Sequence, residues 1–132
     1  MDRINKIIKG DRLFHLFQME LVEAKEGHAI IRCEVKKDFL NAHDIAHGGL
    51  IFALTDVAFA LAVNSVTDSV GVQWSFNIFR SSSLGDVIRA EAELVHKGRS
   101  LLVVDFKAKS ETTGKLIAKG MATAMPLHGK NQ

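Results

Sequence analysis

The chain has 132 residues, 47% of them apolar, with 17 basic and 15 acidic side chains and a net charge of +2. That length suits one domain spanning residues 1–132 with a substantial core, and the apolar fraction excludes a disordered chain. The charges are scattered, so no basic block marks a nucleic-acid or polybasic membrane surface, and neither partner is expected.

Residues 3–17 carry apolar positions at Ile4, Ile7, Ile8, Leu13, Phe14 and Phe17, a helical spacing weakened by Gly10. The first six residues lack the basic-then-apolar layout of a signal peptide, which predicts a cytoplasmic protein. Residues 19–23 read as a short strand and Lys25-Glu26-Gly27 as a turn. Residues 29–36 then alternate Ala29, Ile31, Cys33 and Val35 with Ile30, Arg32, Glu34 and Lys36, a half-buried strand that completes a hairpin. Cys33 is the only cysteine, so it forms no internal disulfide, and its phase in the strand makes it a small core residue.

Residues 50–63 are apolar on almost every face, with Asp56 as their only charge. A helix apolar all round is a buried helix. It falls short of the ~20 residues needed to cross a bilayer. Four strand-like runs follow. Val72, Trp74, Phe76 and Ile78 oppose Gln73, Ser75 and Asn77; Ile88, Ala90, Ala92 and Leu94 oppose Arg89, Glu91 and Glu93. Leu102, Val104, Phe106 and Ala108 oppose Asp105, Lys107 and Lys109, and residues 115–125 follow a turn at Thr113-Gly114. With no helix between these late strands the sheet should be antiparallel. The expected fold is α+β, a curved antiparallel sheet of five to six strands wrapped around one long central helix.

The chemistry concentrates between Asn41 and Asp56. An ionised carboxylate in apolar surroundings is costly unless paired, hydrogen-bonded or reached by solvent. Gly48 and Gly49 let a ligand approach the backbone, and the first N–H groups of a helix lack internal partners and carry the positive end of its dipole. Such a helix start can hold a carbonyl oxygen as it becomes an oxyanion, with Asn41 and His47 as nearby donors. Asp56 can then attack a carbonyl or activate a water. Asp56 lies nine residues after His47, roughly 13 Å along the axis and half a turn around it, so one helix does not easily bring both to one carbon atom. Two antiparallel copies related by a two-fold axis can, each site taking Gly48 from one chain and Asp56 from the other.

Structural readings stand beside these. The glycine pair alone fits tight helix–sheet packing, and Asp56 alone is as well explained as a structural acid. His43 and His47 have the spacing of a metal pair but precede the helix and lack a third ligand, so no metal is expected. His15, His28, His96 and His128 are isolated, and the Phe residues and Trp74 fall at core periodicity. No nucleophile elbow, P-loop or dinucleotide fingerprint occurs.

The run Asn41-x5-His47-Gly48-Gly49-x6-Asp56 resembles the signature of the hotdog-fold acyl-CoA thioesterases of the PaaI-like (phenylacetate-degradation) family. Residues 71–77, Leu84-Gly85-Asp86, residues 96–100 and the segment from Thr113 to Gly120 also fall where that family places its later strands and turns. The resemblance implies a cytoplasmic hydrolase of acyl-CoA without a cofactor, a homodimer or homotetramer with shared sites. Its oxyanion donor would be the Gly48 N–H and its acid Asp56 of the partner subunit, with Asn41 and His47 orienting thioester or water. Gly49, Gln73 and Ser75 match positions lining the substrate, Gln73 replacing a serine that assists the water in one branch. Arg80, His96, Lys97, Gly98, Arg99 and Ser100 match contacts to coenzyme A. Where the family often has proline after the position of Arg80, this chain has Ser81-Ser82-Ser83, which implies a looser loop. The alternatives are a hotdog dehydratase or hydratase on 3-hydroxyacyl thioesters, and a non-catalytic acyl-CoA-binding protein. The acyl group is left open, pocket depth being expected to depend on Phe52, Phe59, Phe76 and Phe79.

Overall fold

In the computed structural model, which describes residues 2–127, the N-terminal segment forms two helices rather than the one its spacing predicts. Helix α1 (Asp2–Gly10) ends at the glycine, and α2 (Arg12–Leu16) starts afresh after Asp11. Asp11 is extended, and its carboxylate accepts from the Phe14 N–H at 3.0 Å. An N-cap acid beside a glycine favours a new helix start over continuation. His128 lies outside the described residues.

Strands β1 (Glu20–Lys25) and β2 (His28–Glu34) form the expected hairpin, and Ala29, Ile31, Cys33 and Val35 are all fully buried. Burial pushes the Cys33 thiol up to about 11, so it stays protonated and donates to the Phe17 carbonyl. A 3-10 turn (Lys37–Phe39) leads to the long helix α3 (Gly48–Asn64). Strands β3 (Ser69–Ile78), β4 (Val87–Lys97), β5 (Leu102–Ser110) and β6 (Leu116–Pro126) complete the sheet. The sheet has six strands in the order β1-β2-β4-β5-β6-β3, every pair antiparallel. Helix α3 packs across β2, β4 and β5, burying apolar side chains from both layers. No helix of the described residues is long and apolar enough to cross a membrane.

Strand β3 departs from simple alternation. Gly71 pairs with Ala124 and Gln73 with Thr123, so Val72 is an extra residue in a bulge. Val72 consequently points outward and is 48% exposed, against its expected inward phase, while Trp74 and Phe76 face the helix half-buried. Ile78, at the end of this edge strand, is also exposed.

The Ser81-Ser82-Ser83 loop is not loose. Ser82 is 2% exposed, its hydroxyl donates to Asp86 at 2.6 Å, and its carbonyl accepts from the Ala46 N–H at 2.8 Å. Asp86 also accepts from the Ser110 hydroxyl at 2.8 Å and the Thr112 N–H at 3.3 Å. Burial pushes Asp86 up, but the donors Ser82, Thr112 and Ser110 together outweigh it and hold the carboxyl below its ordinary range. This stabilisation is complete above the unfolded carboxylate value and disappears as pH falls through the lower native one. Asp86→Ala strands the two buried hydroxyls of Ser82 and Ser110 and should cost about 2 kcal/mol in urea unfolding at pH 7. The gap between variant and parent should narrow as the titration is repeated below pH 4.

Candidate active site

Backbone pairing aims the chain into α3. Leu40 and Ala46 bridge, the His47 N–H donates to the Phe39 carbonyl at 2.9 Å, and Asn41 Oδ1 accepts from the N–H groups of His43 and Ile45. Asn41 thus spends its carbonyl on the loop and leaves its amide NH2 without a partner among the described residues. His47 is the N-cap of α3, and its Nδ1 accepts from the Gly49 N–H at 2.8 Å. That bond occupies Gly49. The Gly48 N–H finds no acceptor among the described residues, so of the two glycines it is the available donor at the positive end of the helix.

Between Leu50 and Asn64 only Phe52, Asp56 and Ala60 are less than fully buried. Four-residue spacing puts them on one stripe of the helix, continued toward its start by half-buried Gly48. Asp56 therefore emerges on the one stripe that the sheet covers only in part. Burial raises its affinity for a proton; a hydrogen bond from Trp74 opposes this and the charge of Asp11 adds to it. The Trp74 indole N–H donates to Asp56 Oδ1 at 3.0 Å. Trp74, expected only to pack, thus also contacts the acid, a role the core periodicity of β3 did not disclose.

Asp56, His47, Gly49 and Phe52 open into a mostly apolar cavity of about 400 Å³, walled by Leu13, Phe17, Phe39 and Leu40. Of the four phenylalanines expected to set its depth, only Phe52 lines it; Phe59 is buried and Phe79 is exposed. The walls from α2 and the 3-10 turn escaped the sequence reading because an apolar helix face does not name the surface it covers. Asn41 and Gly48 open elsewhere, into a cavity of about 340 Å³ bordered by Ile78, Phe79 and Arg80. One chain therefore separates Asp56 from Gly48 and Asn41, but it places His47 on the same cavity as Asp56, against the expectation from their nine-residue spacing.

The residues matched to coenzyme A contacts are also divided. Gln73 and Ser75 lie on the exposed side of β3, with Gln73 Nε2 donating to the Trp74 carbonyl. Arg80 follows β3 beside the start of α3 and donates to the Leu116 carbonyl at 2.9 Å. His96 and Lys97 end β4, and Gly98, Arg99 and Ser100 lie in the turn to β5, at the opposite end of the sheet, where Leu102 pairs with Ala124 and Ala124 with Gly71. His28 is not isolated: its Nε2 lies 2.5 Å from Glu91. Among the described residues no group of three or more His, Cys, Asp or Glu is placed to hold a metal.

A six-stranded antiparallel sheet curled around one helix, with an acid on the helix's half-covered stripe, is a hotdog fold. The profile of the Thioesterase superfamily matches residues 43–117. A protein of Archaeoglobus fulgidus, provisionally named an esterase, is 37% identical over 87% of this chain and 75% of its own length. The acyl-coenzyme A thioesterase PaaI of Escherichia coli is 32% identical over 67% of this chain and 64% of its own. Its structure superposes with a TM-score of 0.92 over 97% of this chain and 93% of that one, at 24% identity. A Streptococcus mutans protein bound to acetyl-CoA superposes with a TM-score of 0.77 at 32% identity, covering 83% of this chain and 88% of that one. The chain belongs to the thioesterase superfamily, as a PaaI-like hotdog protein, and so to the thioester hydrolases.

An acid whose native affinity for protons is raised destabilises the fold once ionised. The penalty is absent below the unfolded Asp value of about 3.9 and complete above the raised native value. Asp56→Asn should therefore melt at a higher temperature than the parent at pH 7, and the difference should shrink toward pH 4 in thermal scans.

Proposed function

We propose that the protein hydrolyses an acyl- or aryl-CoA thioester to the free acid and CoA, in a site assembled from two copies of the chain. The observation that carries this reading is Asp56: a carboxylate of raised proton affinity, open to an apolar cavity, on a helix whose Gly48 N–H is spare. A carboxylate that burial makes more basic than an ordinary aspartate is better suited to take a proton from water. The acetyl-CoA held by a relative of the same fold supports the ligand class.

In the proposed reaction the thioester carbonyl accepts from Gly48 N–H, with Asn41 and His47 orienting carbonyl and water. Asp56 takes a proton from the water as its oxygen bonds to the carbonyl carbon, and the negative charge moves onto the carbonyl oxygen. Collapse of this intermediate breaks the C–S bond, and the departing thiolate receives the proton from Asp56. Direct attack by Asp56, followed by hydrolysis of the anhydride, reaches the same products through the same side chain. Neither a metal nor a redox cofactor enters the scheme. The walls from Leu13, Phe17, Phe39 and Phe52 would receive the acyl group.

Gly48 and Asp56 lie eight residues apart, about 12 Å along α3, and face different cavities. That separation supports a site completed by a partner. So does the division of Arg80 from the His96–Ser100 segment, since antiparallel two-fold pairing brings opposite sheet ends together. The edge strand β3 exposes Val70, Val72 and Ile78, surface that a second copy would cover. A homodimer, or a dimer of dimers, in the cytoplasm belongs to the same proposal.

A thiol-release assay over short, medium, long-chain and aryl-CoA thioesters tests the activity. Asp56→Asn should reduce turnover on the order of 10²-fold or more while the oligomer persists. No thiol release by the parent from any thioester would leave a dehydratase or hydratase acting on the acyl chain, or a binding protein. Shared sites make a separate demand. Asn41→Ala and Asp56→Ala, each nearly inactive, should regain activity when their subunits are mixed and exchanged, because a hybrid dimer contains one intact site. An active monomer in light scattering would sink the two-chain site.

A further inference from the structure

We propose that Trp74 is the positioning residue of Asp56: its indole N–H holds Oδ1 of the carboxylate, so that Oδ2 alone is presented to water or thioester. The inference rests on Asp56 being the reacting acid, and it concerns a residue on another element, 18 positions further along the chain. The 3.0 Å bond is the only hydrogen bond to the Asp56 carboxylate among the described residues. Without it the carboxylate is free to rotate, and the reacting oxygen has no fixed direction.

Several features hold the indole where it is. Phe52 and Phe59 each meet the ring edge-on at 5.9 Å between centroids. Simple alternation would put residues 71 and 74 on opposite faces of β3. The bulge at Val72 adds one residue and returns both to the helix side. Position 71 must then have no side chain. A Cβ there would lie 2.5 Å from Trp74 Cζ2 and 2.7 Å from Phe59 Cε2. Gly71, the bulge and the two phenylalanines together form a seat for one ring, and the polar edge of that ring points at the acid.

The other ionisable groups around Asp56 do not fix its oxygens. Asp11, at the α1–α2 junction, is a like charge acting on it, and Asp38 and His47 border the same cavity. The indole donor favours the ionised form, against both burial and Asp11.

Trp74→Phe keeps most of the ring and removes the N–H. Turnover should fall about tenfold with KM changed less than twofold, and the acidic limb of the kcat profile should move about one pH unit upward. A second readout needs no variant at position 74. Trp74 is the only tryptophan, so its emission reports directly on its partner. Emission of the parent should titrate with the midpoint of the acidic limb, and that transition should be missing in Asp56→Asn. An unmoved limb in a folded Trp74→Phe protein, or an emission transition that persists in Asp56→Asn, would overturn the assignment. Near-normal turnover by Asp56→Asn would instead reject the acid itself, whatever Trp74→Phe did.

Discussion

Everything in this molecule depends on how closely the sheet can approach α3. The concave face is rich in small side chains: Ala90, Ala92, Ala108, Ala118, Ala122 and Ala124 are all fully buried. Alanines there allow the helix backbone to sit deep in the curl, so that its own Leu50, Leu54, Phe59 and Leu61 fill the remaining space at the density of an ordinary core. Larger residues on those strands would lift the helix and open voids beneath it. A sheet can wrap only part of a cylinder, however, and one stripe of α3 stays only half covered. The reactive group sits on that stripe.

The stripe joins stability to function. A carboxylate at a half-buried position loses hydration without gaining a counter-charge, and Asp11 nearby adds repulsion. A core built for stability alone would place an apolar residue at position 56. Keeping the acid puts its proton affinity nearer the range where a base is useful, at some expense in folding free energy. The single indole donor moderates that expense without removing it, because a neutral N–H offers a dipole rather than a full charge.

Support for the site comes from well outside it. Asp86 gathers Ser82, Ser110 and Thr112, and the carbonyl of Ser82 receives the Ala46 N–H immediately before His47. The network thereby ties the end of β5 and the loop before β4 to the segment that launches α3. Three serines in a row look flexible in composition, but here the middle hydroxyl and carbonyl are both spent on fixed partners. Buried polar clusters of this kind are rigid when every member is satisfied, and a catalytic helix start benefits from such rigidity.

The sequence by itself determined the periodic elements and the anomaly. Strict alternation through Ala29, Ile31, Cys33 and Val35, and through Ile88, Ala90 and Ala92, appears unchanged in the fold, because successive side chains alternate faces wherever no bulge interrupts the strand. The lone charge in α3 and the glycines at its start were equally legible, since both break a pattern within one segment. Tertiary structure alone decided what crosses between segments. It split the first helix at Asp11, bulged β3 at Val72, brought Trp74 to Asp56, and raised the cavity wall from Leu13 and Phe17. It also gave the Gly49 N–H to His47 and left that of Gly48 free. Periodicity says which face of an element is apolar, but not which distant side chain that face will meet. That choice is made when sheet and helix close on each other, by the fit of rings, bulges and hydrogen bonds far apart along the chain.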